Sequence, residues 1–198
     1  MSRALSAPRP TAQALWAGRL PLPGQLAALG TVLCLYRPGG SELGGWRHAV
    51  SAHACQGVDS EGIRESVCFV DERQHCCWRL YLLPDSDFLA WDRLVSQLPT
   101  RPEPANDANV AERLWRRLAM RLGGDPWRMC ALRLHATDGG QGVAASLASL
   151  SSLGATTARR IARQEGAEGE LWIDDCCCAA AARRAPAHDT GEVPLIRL

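Results

Sequence analysis

Two runs of strict alternation, joined by three polar residues and followed by a capped helical stripe, constrain this chain more than any other feature. From Arg64 to Asp71, Val67 and Phe69 alternate with Arg64, Ser66 and Cys68. From His75 to Leu82, Cys76, Trp78, Leu80 and Leu82 fall on one side, with His75, Cys77, Arg79 and Tyr81 on the other. Successive side chains of a strand point to opposite faces, so this patterning predicts a half-buried antiparallel hairpin that turns at Glu72-Arg73-Gln74. Pro84-Asp85-Ser86 then caps a helix on which Phe88, Trp91, Leu94, Val95 and Leu98 share one face, and Pro99 stops it. The expected core places Phe69, Trp78 and Leu80 against Trp91 and Leu94.

The same segment carries a resemblance. Gly62-Ile-Arg-Glu-Ser66-Val-Cys-Phe69-Val-Asp71, then Tyr81, then Asp87-Phe-Leu-Ala-Trp91-Asp-Arg-Leu94 is similar to the repeated half-domain of the bacterial haem-utilisation proteins, the hemin-degrading or haem-transport HemS/ChuX type. The likeness covers roughly residues 22–98, and no second copy of the motif follows. It implies an α/β (α+β) fold with an antiparallel sheet backed by helices, carrying a C-terminal α/β extension. It also implies haem as the cofactor or cargo, a binding and trafficking role in haem-iron utilisation, and a homodimer, because single-half members pair. Two other functions stay open: a haem-degrading enzyme, and a non-catalytic interaction module that keeps the fold without haem. The family's axial histidine lies near the junction between halves. The corresponding stretch here, Thr100 to Val110, has no His, so that residue has no counterpart in this chain.

Composition narrows the remaining classes. With 46% hydrophobic and 22% charged residues among 198, the chain has the balance of a globular protein. All 22 basic residues are Arg, yet the net charge is only +1, which gives no general case for nucleic acid. Arg113, Arg116, Arg117 and Arg121 lie around one expected helix without aromatic interleaving or a helix-turn-helix, and read as a solvated face. The nine cysteines include Cys76-Cys77 and Cys176-Cys177-Cys178, with neither a C-x-x-C nor a C-x-x-C-H. That bunching suits a reducing cytoplasm better than a secreted disulfide scaffold. Pro8, Arg9, Pro10 and Arg19 interrupt any leader-like apolar stretch, and no run is long enough to span a membrane.

Along the chain, residues 1–21 read as an N-terminal tail and 22–98 as the half-domain. Residues 99–107 read as a linker rich in Pro, Asn and charge, 108–178 as a helix-strand extension, and 179–198 as a loose tail. Within these, Gln25 to Gly30 suggests a helical turn and Thr31–Tyr36 a strand, while Trp46 to Ala52 reads as a strand or a helix. A helix over 107–122 with Val110, Leu114, Leu118 and Leu122 as its stripe precedes a strand over Trp127–Ala136. The Ala- and Ser-rich segment from Gly139 to Ile161 reads as two weak helical pieces broken near Gly154, and Glu170–Ile173 as a last strand.

Non-covalent haem needs an apolar slot, an axial ligand and cations for its propionates. His48, His53, His75 and Tyr81 are the ligand candidates near the hairpin. His75 is singled out because alternation puts it on the face of Tyr81. Arg64 and Arg79 share that face and have the planar fork suited to carboxylates. Cross-strand pairing with Glu or Asp is the competing role for both. A zinc site at Cys176–Cys178 with His188 is not expected, since adjacent cysteines on a strand diverge. No P-loop, nucleophile elbow or metalloprotease helix occurs.

Overall fold

The computed structural model describes residues 19–59, 62–102, 127–137 and 139–173. The helix expected over 107–122, the Cys176–Cys178 run, His188 and the tail from 179 all lie outside the described residues.

The hairpin forms where alternation demands it. β2 (Ser51–Asp59), β3 (Gly62–Val70) and β4 (Cys76–Tyr81) pair antiparallel in succession. β1 (Thr31–Tyr36) pairs antiparallel with β4, and β6 (Arg128–Ala136) with β1. β7 (Val143–Leu147) closes one edge on β6, while β5 (Thr100–Pro102) lies parallel to β2 at the other. The result is one seven-stranded sheet of order β5-β2-β3-β4-β1-β6-β7. The fold is α+β, and strands from both sides of the expected linker share that sheet. Thr100–Pro102, read as linker, is a strand; its ladder partners lie in β2, far away in sequence.

One sheet face carries Val32, Cys34, Val67, Phe69, Trp78, Leu80 and Leu132, all buried. α1 (Pro23–Ala27), α2 (Gly44–His48) and α3 (Phe88–Val95) cover this face; Leu26, Leu43, Trp91 and Leu94 belong to its core. Phe69, Trp78, Leu80 and Trp91 have no exposed surface and Leu94 almost none, which bears out the expected packing. The α3 cap is Asp87, whose carboxylate accepts from the Ala90 N–H at 2.8 Å. That placement leaves Phe88 at the first helical position, 54% exposed, outside the stripe expected to bury it. Trp46 falls in α2, where its ring meets Phe69 edge-on, and the strand β2 begins only at Ser51.

The other face carries Leu33, Leu35, Tyr81 and Ala131 against a single helix, α4 (Ser152–Glu165). The expected break at Gly154 is absent, and β7 and the short β8 (Ser149–Leu150) occupy what was read as helix. β8 pairs with β9 (Trp172–Ile173), the expected last strand. Gly154 lies inside α4 for a packing reason: a Cβ there would collide with the Asp85 carboxylate. Asp85 accepts from the backbone N–H and the hydroxyl of Ser151, the N-cap of α4, so the cap and the glycine form one joint. Gly166 ends the helix in the left-handed conformation at φ 64°.

Alternation also fails at one point inside the hairpin. Phe69 pairs with Trp78 but Val70 pairs with Cys76, so Cys77 is an extra residue in a β-bulge. Cys77 packs with the Trp78 side, whereas Cys76 joins Cys55, Cys68 and Val70 on the opposite face. The assignment of Cys76 to the Trp78 face and Cys77 to the Arg79 face is therefore reversed. A bulge inserts one residue, and one residue exchanges the faces of everything upstream of it.

Candidate functional site

The register of the sheet places the chemistry. Residues directly opposite one another on neighbouring strands share a face. His53, Cys68 and Arg79 form one row across β2, β3 and β4; Cys55, Ser66 and Tyr81 form the next. Arg101 on β5 is registered against Cys55 at the sheet edge. Arg64, two residues before Ser66, extends the same face. Three of the four nominated residues, Arg64, Arg79 and Tyr81, are thus brought together.

They meet at the C-terminal end of α4. Arg79 Nη1 donates to Tyr81 Oη at 2.8 Å and to Glu165 Oε2 at 3.2 Å. Arg64 Nη2 lies 3.6 Å from the other oxygen of the same carboxylate, and Arg64 also donates to the Gln164 amide oxygen. Both guanidinium carbons stand over the Tyr81 ring, at 5.9 and 5.6 Å from its centre. The three charged side chains are only 9–17% exposed, so this is two cations and one anion in a largely dry setting. Burial pulls the Arg79 guanidinium down, but Tyr81 and Glu165, followed by the thiols of Cys76 and Cys68, outweigh it and raise it well above its ordinary value. Arg79 is a permanent cation.

His53 is the histidine that this face buries, at 7% exposure. Burial, then Arg101, then Arg79 hold its pKa below the ordinary value. Its imidazole is accordingly neutral near pH 7, with a lone pair to offer. His75, by contrast, is exposed beside the turn, where Asp71 Oδ1 accepts from its backbone N–H at 2.9 Å. The bulge removes the reason for placing His75 on the face of Tyr81, and six residues of strand separate the two by roughly 20 Å. His48 is exposed at the end of α2.

Sequence reasoning missed Glu165 and Gln164, the groups that the two arginines face. They lie in a segment without clear periodicity, and the signal in reach was the acidic residue directly before the capping Gly166. His53 was visible as a candidate, and its alternation with Ala52 and Ala54 marks it as facing the side opposite those small residues.

A cleft of about 320 Å³ opens beside α3, lined by Ala54, Gln56, Glu65, Asp92, Val95 and Thr100 among others. Glu65 Oε2 accepts there from Trp91 Nε1 at 2.8 Å. Its two carboxylates and lack of any basic side chain make this cleft unsuited to an anionic ligand. Among the described residues no group of three or more His, Cys, Asp or Glu side chains is placed to hold a bare metal ion. None of their helices is long and apolar enough to cross a membrane. The chain matches no protein-family model. A search of curated proteins likewise finds no match.

Proposed function

We propose that this chain is a cytoplasmic haem-binding and trafficking protein of the HemS/ChuX-like kind, built on a single half-domain and acting as a homodimer. The observation that supports this reading is the carboxylate fork. Arg64 and Arg79 already hold one carboxylate between them, that of Glu165, over the Tyr81 ring. A haem propionate presents the same group, and exchange of Glu165 for a propionate would keep an anion between the two guanidinium groups.

The donor set supplies two of the three things haem needs, cations for a propionate and a neutral imidazole. Arg79 and Arg64 would hold a propionate, and His53, neutral and on the same face, would supply the axial nitrogen. When bound, haem would supply a redox-active iron centre. Tyr81 orients Arg79 through its hydroxyl, and α4 keeps water from the fork.

The test is a hemin titration of the purified protein followed by the Soret band. Saturation near one hemin per protomer is expected, with His53→Ala shifting the Soret maximum and His75→Ala leaving it in place. Arg79→Ala should weaken binding by about 1.5–3 kcal/mol without changing the spectrum, the range for a hydrogen bond to a charged group. Absence of saturable binding would remove both the carrier and the haem-degrading readings. A non-catalytic interaction module is then the second reading, favoured by the same contact seen from the other side: Glu165 fills the fork from within the chain.

A further inference from the structure

The bulge at Cys77 has placed two thiols in contact. Cys68 Sγ and Cys76 Sγ are 2.8 Å apart, well inside the distance at which two unbonded sulfurs rest and not far from a bond of about 2.05 Å. Both belong to one small packing group with Cys55 and Val70, on the face that carries Arg79. Cys77, the sequence neighbour, is turned the other way: its thiol donates to the Gly45 and Phe69 carbonyls at 3.3 and 3.4 Å.

We propose that Cys68 and Cys76 form a dithiol site that an oxidant of the hydroperoxide class closes to a disulfide linking β3 and β4. The two sulfurs divide the work unequally. The Cys68 thiol donates toward Cys76 Sγ, and that bond, followed by Arg79 and Arg37, holds Cys76 below its ordinary pKa against the opposing effect of burial. The same bond and burial push Cys68 upward. Cys76 is therefore the more readily ionised of the two and, once deprotonated, the nucleophile. Its sulfur attacks the terminal oxygen of the hydroperoxide, the O–O bond breaks, and the departing alkoxide or hydroxide takes up a proton. Cys76 is left as the sulfenic acid. Cys68 then attacks Cys76 Sγ, the S–O bond breaks, and the hydroxyl leaves as water with the Cys68 proton. Two electrons pass from the thiol pair to the peroxide. Cys68 stands in register between His53 and Arg79, so the dithiol adjoins the proposed haem face, but the inference rests on the sulfur geometry and not on haem binding.

The experiment uses the full chain with hydrogen peroxide as the probe, followed by alkylation of remaining thiols, trypsin and mass spectrometry. Cleavage after Arg64, Arg73 and Arg79 puts Cys68 in the peptide 65–73, and Cys76 with Cys77 in 74–79. The expected product is these two peptides joined with loss of two hydrogens, separated again by dithiothreitol. Fragment spectra should place the bond at Cys76, with Cys77 alkylated. The link should persist in Cys77→Ser and vanish in Cys76→Ser. A bond at Cys77 would overturn the proposal, and so would Cys68 and Cys76 both recovered alkylated, or Cys76 recovered as a sulfinic acid with Cys68 alkylated.

Discussion

Replacing Glu165 by Gln removes the carboxylate that stands between Arg64 and Arg79 while keeping the shape of the side chain. At the separations of 3.2 and 3.6 Å, each attraction amounts to about 5 kcal/mol in a medium of effective dielectric about 20. The cost of drying the three groups offsets most of this gain in the folded protein. That cost is not recovered when the anion alone is removed, because both guanidinium groups stay buried and now repel each other. Breaking a buried pair from one side costs about 3–5 kcal/mol. The residual exposure of 9–17% admits some solvent screening, so Glu165→Gln should destabilise the protein by about 2–4 kcal/mol. Urea unfolding followed by tryptophan fluorescence measures it as a fall in midpoint at unchanged slope. Arg64→Gln in the same background should restore part of the loss, since the repulsion between the two guanidinium groups is then removed. A change below about 0.5 kcal/mol, the range of an exposed ion pair, would refute the view that this carboxylate locks α4 to the sheet.

Two further outcomes follow from the described packing. Trp91→Ala should cost about 3–5 kcal/mol in the same assay, because Trp91 is fully buried and its indole N–H is bonded to Glu65. His53 makes stability depend on pH in one direction. With its native pKa lowered by burial, Arg101 and Arg79, the unfolded chain takes up its proton first as pH falls. Stability should therefore be level above about pH 6.5 and decline below it by up to about 1.4 kcal/mol per pH unit until the native imidazole protonates. The decline should be absent in His53→Gln, as read from urea midpoints between pH 5 and 8.

Local pattern made some elements legible and hid others. β1, β3, β4 and α3 were readable because Thr31–Tyr36, the two hairpin arms and the Trp91–Leu94 stripe each state their period within a few residues. β5 was not, because three residues ending in Pro become a strand only through a partner some forty-five positions away. Of the two helical pieces expected over Gly139–Ile161, the second is α4 while the first is β7 and β8: an Ala- and Ser-rich segment has weak preferences, and packing decides between sheet and helix. Gly154 illustrates this, since it looks like a breaker until Asp85 is seen beside it. At the site, the grouping of Arg64, Arg79 and Tyr81 followed from alternation and is what the structure shows. His75 was misplaced because a bulge leaves no mark in the hydrophobic pattern, and Glu165 was missed because nothing local ties it to the hairpin.

The position of β6 has a consequence for how the chain is made. β1 is apolar along nearly its whole length, and one of its two partners, β6, lies about a hundred residues downstream. At about 5–20 residues per second, a ribosome needs about 5–20 s to supply that partner after β1 has emerged. During this interval β1 can pair only with β4, leaving an open apolar edge of the kind that joins other chains. Ribosome-bound chains that end before Trp127 should therefore draw chaperones, and the completion of β6 should release them.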